Sequence, residues 1–130
     1  MAKRLRENAL TLLSTTAVAD LSVADITTLF TVPADKVLIL SEAWVKVAGD
    51  VGANLVLTIG QGASASDFVG TTNGDNLDAN GDCIIMKPVP SATPATLKAY
   101  AAASVISIDV GVAGNAVAAV VYLFGFLLDA

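Results

Sequence analysis

From Thr27 onward, apolar and polar residues alternate with a period of two, which is the repeat of a half-buried β-strand and not of a helix. Gly, Pro, Asn and Asp separate the alternating stretches, as they do between strands. Six segments carry the pattern and are predicted strands: 27–33, 36–49, 53–59, 82–89, 104–112 and 116–129. The stretches at 48–53, 70–82 and 87–96 are rich in turn residues. An all-β sandwich or barrel is therefore expected.

Strict alternation also predicts which side chains share a face. In the strand at 36–49, one face is expected to carry Val37, Ile39, Ala43, Val45 and Val47. The opposite face then carries Leu38, Leu40, Trp44 and Lys46. In the strand at 104–112, the inward residues are expected to be Ile106, Ile108, Val110 and Val112, with Ser107 and Asp109 outward. In the strand at 53–59, Leu55, Leu57 and Ile59 fall on one face.

The first 25 residues are predicted to form an N-terminal arm, extended or partly helical, that precedes a single β-sandwich domain over residues 26–130. The helical candidate is Asn8–Val18, because Asn8 has the side chain of a helix N-cap. A secretion signal is not expected here, since Ser14, Thr15 and Thr16 interrupt the apolar stretch that such a signal needs.

The last predicted strand is apolar on both faces. Tyr122, Phe124 and Phe126 are two residues apart, so a strand places all three rings on one side. Val121, Leu123 and Leu127 lie on the opposite side. A strand with two apolar faces must be covered on both. A long loop of the same chain or a neighbouring subunit can supply the second cover, and both alternatives stay open.

The composition favours an assembly subunit over a lone soluble domain. Of the 130 residues, 55% are hydrophobic and only 15% are charged, where about 25% charged residues is usual. Part of the apolar surface is therefore expected to contact another subunit. The longest apolar run, 116–128, is shorter than the roughly 20 residues that a membrane-spanning helix needs, so no membrane partner is expected.

The charge is unevenly distributed along the chain. The net charge is −5, yet Lys3, Arg4 and Arg6 are three of only seven basic residues. The acidic remainder argues against binding to nucleic acid. A basic arm on an acidic body can dock onto a neighbouring subunit. The alternative is a solvated chain terminus.

No catalytic group of residues is evident. The chain has no His and one Cys, Cys83, so the commonest general base and the commonest metal ligand are missing. Glu42 and Asp109 lie in predicted strands and are interpreted as outward-facing, solubilising side chains. We predict that the chain is not an enzyme and needs no cofactor or metal.

Two segments imitate ligand-binding motifs. Gly60, Gly62 and Ala65 have the spacing of the dinucleotide-binding fingerprint, but no helix is predicted after them, so a loop leaving a strand is expected instead. Residues 76–82 resemble the start of a calcium loop, but Lys87 stands where the bidentate Glu belongs. We interpret the segment as a hairpin tip. Loose cation binding by Asp75, Asp78 and Asp82 stays open.

Residues 26–60, with the stretch Thr31-Val32-Pro33-Ala34-Asp35-Lys36, and the apolar closing strand resemble small virion proteins of tailed bacteriophages. The resemblance implies a jelly-roll-like antiparallel β-sandwich. It also implies a role as a capsid decoration (cement) protein, often trimeric, although head-fibre and tail components have the same kind of sequence pattern. It implies no functional residues, because it concerns the fold.

Residue pattern and resemblance together predict a structural virion protein, either a capsid decoration protein or a minor capsid subunit. Its partners would be copies of itself, in a homotrimer, and the major capsid protein or other virion subunits. It would be made in the host cytoplasm and located on the capsid surface. The interface is expected to involve Lys3, Arg4, Arg6, Tyr122, Phe124 and Phe126. Alternatives are a carbohydrate- or surface-binding module of a fibre and a filament subunit that donates residues 8–25 as a strand.

Overall fold

The computed structural model describes residues 10–62, 65–88 and 99–130, and these residues form two antiparallel β-sheets. The strands are β1 (Thr11–Val18), β2 (Ile26–Thr31), β3 (Lys36–Val47), β4 (Val56–Gln61), β5 (Val69–Asn73), β6 (Cys83–Met86), β7 (Ala99–Tyr100), β8 (Val105–Val112) and β9 (Ala119–Asp129). The predicted all-β antiparallel sandwich is confirmed. Within the described ranges, no helix is long and apolar enough to cross a bilayer.

The chain passes repeatedly between the two sheets. Sheet A has the strand order β1-β9-β3-β6, and β7 pairs with β3 beyond the end of β6. Sheet B has the order β2-β8-β4-β5. The central strands β9 and β3 of sheet A pair over almost their whole length, from Lys36↔Asp129 to Val47↔Ala119.

One hydrophobic core fills the space between the sheets. Sheet A contributes fully buried side chains such as Leu38, Leu40 and Leu123, and sheet B contributes Leu57 and Ile59. The predicted shared face of the strand at 53–59 is confirmed, because Leu55, Leu57 and Ile59 are all buried. Each such side chain contributes about 1.5–3 kcal/mol when it leaves water.

The prediction for the faces of β3 is wrong in its first half. A β-bulge lies between Leu40 and Glu42 in the pairing of β3 with β9. Because a bulge adds one residue to one strand, the side chains after it point to the opposite side from strict alternation. Leu38 and Leu40 therefore face the core together with Ala43, Val45 and Val47. Val37 and Ile39 lie on the outer side with Trp44 and Lys46.

The prediction for β8 fails at its end for a similar reason. Ile106, Ile108 and Val110 are buried as expected, but Val112 is exposed. The register with β4 shifts between Val110 and Val112, so Val112 pairs with Val56 on the outer side of sheet B. One additional residue in the ladder again reverses the inside and outside positions.

Three segments form strands that were not predicted as strands, and the shortest of them is β7, Ala99–Tyr100, which pairs with β3. The helical candidate Asn8–Val18 is wrong over its described part, because Thr11–Val18 forms β1 and pairs with β9. Three consecutive residues of β1, at positions 14–16, are Ser or Thr, and Thr favours strands through its branched Cβ. Val69–Asn73, which overlaps the predicted turn-rich stretch at 70–82, forms β5 at the edge of sheet B.

Candidate protein–protein interface

The outer side of sheet A carries a continuous set of apolar side chains, which we call the aromatic face. Cross-strand partners point to the same side of a sheet, and the pairing Leu12↔Phe124, Trp44↔Tyr122, Trp44↔Ile85 and Ile39↔Phe126 therefore joins four strands. The aromatic face consists of Leu12, Ile39, Trp44, Ile85, Tyr122, Phe124 and Phe126.

Several of these side chains remain in contact with solvent. Relative exposure is 48% for Leu12, 39% for Trp44 and 57% for Ile85. The rings of Trp44 and Phe124 contact each other, with centroids 4.5 Å apart and planes tilted by 49°. The three rings of β9 are partly exposed in the subunit, so the rest of the described chain covers only part of this side.

The indole N–H on the aromatic face and the charges beside it are already paired. Trp44 donates its indole N–H to Glu42, with 2.5 Å between Nε1 and Oε2. Lys87 lies 3.8 Å from the other carboxylate oxygen of Glu42. A partner that covers this face would therefore meet few unsatisfied charges, which lowers the desolvation cost of contact.

The centre of the outer side of sheet B is polar by contrast. Thr28 pairs with Ser107, and Asp109 lies between Ile26 and Thr58 in the ladder. Asp109 thus has the outward position that the sequence predicts. Protein interfaces are enriched in aromatic residues and depleted of acidic ones at their centres. Of the two outer surfaces, the aromatic face is the better candidate for an interface.

A shallow apolar groove continues the aromatic face at one end. Its volume is about 240 Å³, and it lies between the ends of β1, β3 and β9. Ala17, Val47, Ala119 and Tyr122 contribute to its wall, and Lys46 stands at its side. A groove of this shape can receive a side chain of a protein that covers the face.

The segment with the dinucleotide spacing forms a loop between β4 and β5. Gly60 is the penultimate residue of β4, and the next described element is β5: the N–H of Ala65 donates to the carbonyl of Gly62 (3.2 Å), and the N–H of Phe68 donates to the carbonyl of Ile59 (3.1 Å). A Cβ on Gly60 would lie 2.5 Å from the backbone nitrogen of Asp67. Gly60 therefore provides space for the returning chain. Residues 63 and 64 lie outside the described residues.

Asp67 links the loop between β4 and β5 to sheet A. Its Oδ1 accepts hydrogen bonds from the N–H of Gln61 (2.8 Å) and from the hydroxyl of Tyr100 (3.0 Å). Burial, followed by the hydrogen bond to Asp67 and its charge, raises the pKa of Tyr100 above its ordinary value. Because Tyr100 belongs to β7 of sheet A, the contact joins the two sheets.

The acidic segment 75–82 uses its carboxylates to hold its own backbone. Asp82 accepts hydrogen bonds from the N–H groups of Asp78 (3.1 Å) and Ala79 (3.0 Å). Asp75 contacts Asn73 through both side chain and backbone. The described residues contain no group of three or more metal-ligating side chains. The segment has the contacts of a polar turn.

The predicted interface residues divide into two groups. Tyr122, Phe124 and Phe126 share the outer side of β9, as their spacing requires. Lys3, Arg4 and Arg6 lie outside the described residues. The aromatic face is completed by Leu12, Ile39, Trp44 and Ile85, which were not predicted to belong to it, because only the strand pairing brings them to the same side as the three rings. In the sequence, the period-two pattern around Trp44 and Ile85 is the one feature that could have indicated that these side chains lie on the face of a strand.

Two alternative functions meet structural obstacles. A carbohydrate platform needs exposed rings, but Phe68 and Tyr100 are buried, which leaves Trp44 and the partly exposed Phe30 outside β9. If residues 8–25 were donated as a strand to another subunit, Thr11–Val18 would first have to detach from β9, with which it pairs in its own subunit.

Two solved phage capsid structures contain chains of similar fold. A chain in the acidic stable capsid structure of Helicobacter pylori bacteriophage KHP30 has a TM-score of 0.61 and 14% sequence identity, covering 95% of this chain and 94% of that chain. A chain in the cyanophage Pam1 capsid asymmetric unit has a TM-score of 0.53 and 11% identity, covering 90% and 84%. No protein-family model and no curated protein sequence matches the chain. The likeness establishes a shared fold.

Proposed function

We propose that this protein is a structural subunit of a bacteriophage virion, either a capsid decoration (cement) protein or a minor capsid subunit. The observation that carries the proposal is the aromatic face, an apolar surface that joins four strands of sheet A and remains partly exposed in the subunit. Both similar solved structures are phage capsid assemblies. The function is non-enzymatic and its location is the capsid surface.

We assign the sandwich to the jelly-roll type. The first and last long strands, β1 and β9, are neighbours in sheet A, and β2 and β8 are neighbours in sheet B. In both sheets, a strand from the start of the chain pairs with a strand from its end. This order supports two interlocked Greek keys of four strands each. The short β7 is then an addition beside β3.

The mechanism is the burial of apolar area between subunits. Each Å² of apolar surface removed from water contributes about 25 cal/mol, and a closed oligomer repeats the same contact in every subunit. We assign the aromatic face to the contact with the shell or with neighbouring copies in a homotrimer. The basic segment with Lys3, Arg4 and Arg6 reaches an adjacent subunit.

The test replaces two neighbouring apolar side chains of the aromatic face with small polar ones. We expect Trp44→Ser with Ile85→Ser to lower the number of copies per purified capsid several-fold. Partly exposed side chains contribute more to binding a partner than to the stability of the folded subunit. The copy number is measured by quantitative mass spectrometry of capsids, relative to the major capsid protein. Circular dichroism of the purified variant checks that it is folded.

The matched control carries the same kind of change on the opposite sheet. Ile26 and Val105 are exposed to 41% and 40% on the outer side of sheet B. Ile26→Ser with Val105→Ser should leave the copy number unchanged. Equal loss in both variants, or capsids that lack the wild-type chain, would exclude the proposed function.

A further inference from the structure

A second groove lies at the corner where the ends of β1 and β2 meet, and we call it the corner groove. Its volume is about 280 Å³. Val18, Val23 and Val110 give it an apolar lining, and Asp20 and Asp25 add two carboxylates. An apolar lining with acidic groups suits a segment that has both basic and aliphatic character, because Lys and Arg bury their stems and keep their charges at the edge.

The two carboxylates of the corner groove are not neutralised by the described part of the chain. The ion pairs there join Lys36 to Asp129 and Lys87 to Glu42. Hydrogen bonds from the side chain and then the backbone of Ser22 lower the pKa of Asp20, so it is charged at neutral pH.

The complementary charge within the sequence is at the N-terminus. Lys3, Arg4 and Arg6 lie within four consecutive positions, alongside the aliphatic Leu5. Beyond Glu7 the chain has four basic residues against eleven acidic ones. This segment is therefore the strongest candidate within the chain for an acidic groove.

The chain length indicates that an Arg6 side chain in the corner groove comes from a second copy. The corner groove is at the Val18 end of β1, and β1 begins at Thr11. At about 3.3 Å per residue the strand separates these ends by roughly 23 Å. Arg6 is only four residues from Leu10, a reach of at most about 14 Å. Within one subunit Arg6 therefore stays well short of Asp20.

We propose that the corner groove binds the basic N-terminal segment, residues 2–6, of a neighbouring copy of this chain, with Arg6 contacting Asp20 or Asp25. The donated segment and the receiving groove are different surfaces, so the contact is heterologous, and such contacts form a ring when the rotation between copies closes. That geometry suits the proposed trimer. The inference rests on the proposed homo-oligomer and is independent of the aromatic face.

The experiment is disulfide trapping between two full-length variants in a Cys83→Ser background, which removes the one native cysteine. One variant carries Ala2→Cys, which keeps all three basic residues. The other carries Ala19→Cys at the exposed edge of the corner groove. After mixing and mild oxidation, mass spectrometry quantifies the disulfide between the two variants.

The matched control places the receiving cysteine at Ala79, another exposed Ala beside two carboxylates, Asp78 and Asp82. We expect several-fold more linkage to position 19 than to position 79. Asp20→Asn with Asp25→Asn should remove that preference while retaining hydrogen-bond acceptors at both positions.

Two results would overturn the inference. One is equal linkage to positions 19 and 79, which indicates attraction by charge alone. The other is a chain with both Ala2→Cys and Ala19→Cys that closes on itself as a monomer in dilute solution, which indicates that the segment reaches its own groove. Neither result depends on capsid binding, so a failure here is distinguishable from a failure of the aromatic-face test.

Discussion

At the scale of single residues, Trp44 combines a large apolar surface with a satisfied polar atom. Its indole N–H is bound by Glu42, and its ring packs against Phe124. Trp residues with this arrangement often dominate interface energies, because contact removes apolar area without leaving a donor unpaired. Trp44 is therefore the residue of the aromatic face that we expect to matter most for assembly.

Gly60 gives a prediction about the folded subunit. We expect Gly60→Ala to lower the free energy of unfolding by about 1–3 kcal/mol, as overpacking does in a tight site. The added Cβ would lie 2.5 Å from the nitrogen of Asp67 and 2.8 Å from that of Ser66, and would displace the Asp67 carboxylate from Tyr100. Denaturant unfolding of the purified chain measures the change.

Gly70 provides the control for Gly60. A Cβ on Gly70 would meet no heavy atom within 4 Å. Gly70→Ala in β5 should therefore be neutral or stabilise the fold by up to about 1 kcal/mol, because Ala loses less backbone freedom than Gly. Equal stability of the two variants would contradict the assignment of Gly60 as a space-providing residue.

At the scale of elements, the alternation of residues predicted most of the sandwich, and its errors have a common cause. Strand positions in β3, β4, β8 and β9 follow from period-two patterns that each strand carries by itself. The bulges at Ser41 and Gly111 depend on the register with a neighbouring strand. A local pattern does not specify that register, so the faces of β3 and the end of β8 were mispredicted.

The aromatic face was only partly predictable for the same reason. The three rings of β9 share a side because their spacing within one strand requires it. Leu12 joins them through β1, which resembled a capped helix in sequence, and Ile85 joins through β6. Contacts between strands distant in the chain are set by topology. A single sequence does not reveal the topology.

Deleting Ser41 tests the role of the bulge. Without the additional residue, strict alternation would turn either Leu38 and Leu40 or Ala43, Val45 and Val47 away from the core. Each buried aliphatic side chain contributes about 1.5–3 kcal/mol, so the loss is comparable to the stability of a whole domain, about 5–15 kcal/mol. We expect the deletion variant to be unfolded by circular dichroism.

The length-preserving substitution Ser41→Ala is the comparison for this deletion. It keeps the bulge, and we expect it to change the free energy of unfolding by less than about 1 kcal/mol, as surface substitutions usually do. A deletion variant as stable as Ser41→Ala would show that the bulge does not set the orientation of β3.

At the scale of the whole molecule, the sandwich has two unlike outer surfaces. Sheet A presents the aromatic face, whereas the outer side of sheet B has Thr28 and Asp109 at its centre and the aliphatic Ile26 and Val105 beside them. Only 15% of the 130 residues are charged, so the molecule has little polar surface with which to cover both sides. This asymmetry suits a subunit that rests on an assembly with one side and meets solvent with the other.

The most direct test of this account is the native mass of the wild-type chain, measured by light scattering over a dilution series. We predict a closed oligomer, most simply three times the 13.1 kDa chain, that persists on dilution and is lost when Trp44 and Ile85 are both replaced by Ser. A monomer at every concentration would contradict the claim that the aromatic face joins copies of this protein, and would leave the contact with the shell as the role of this face.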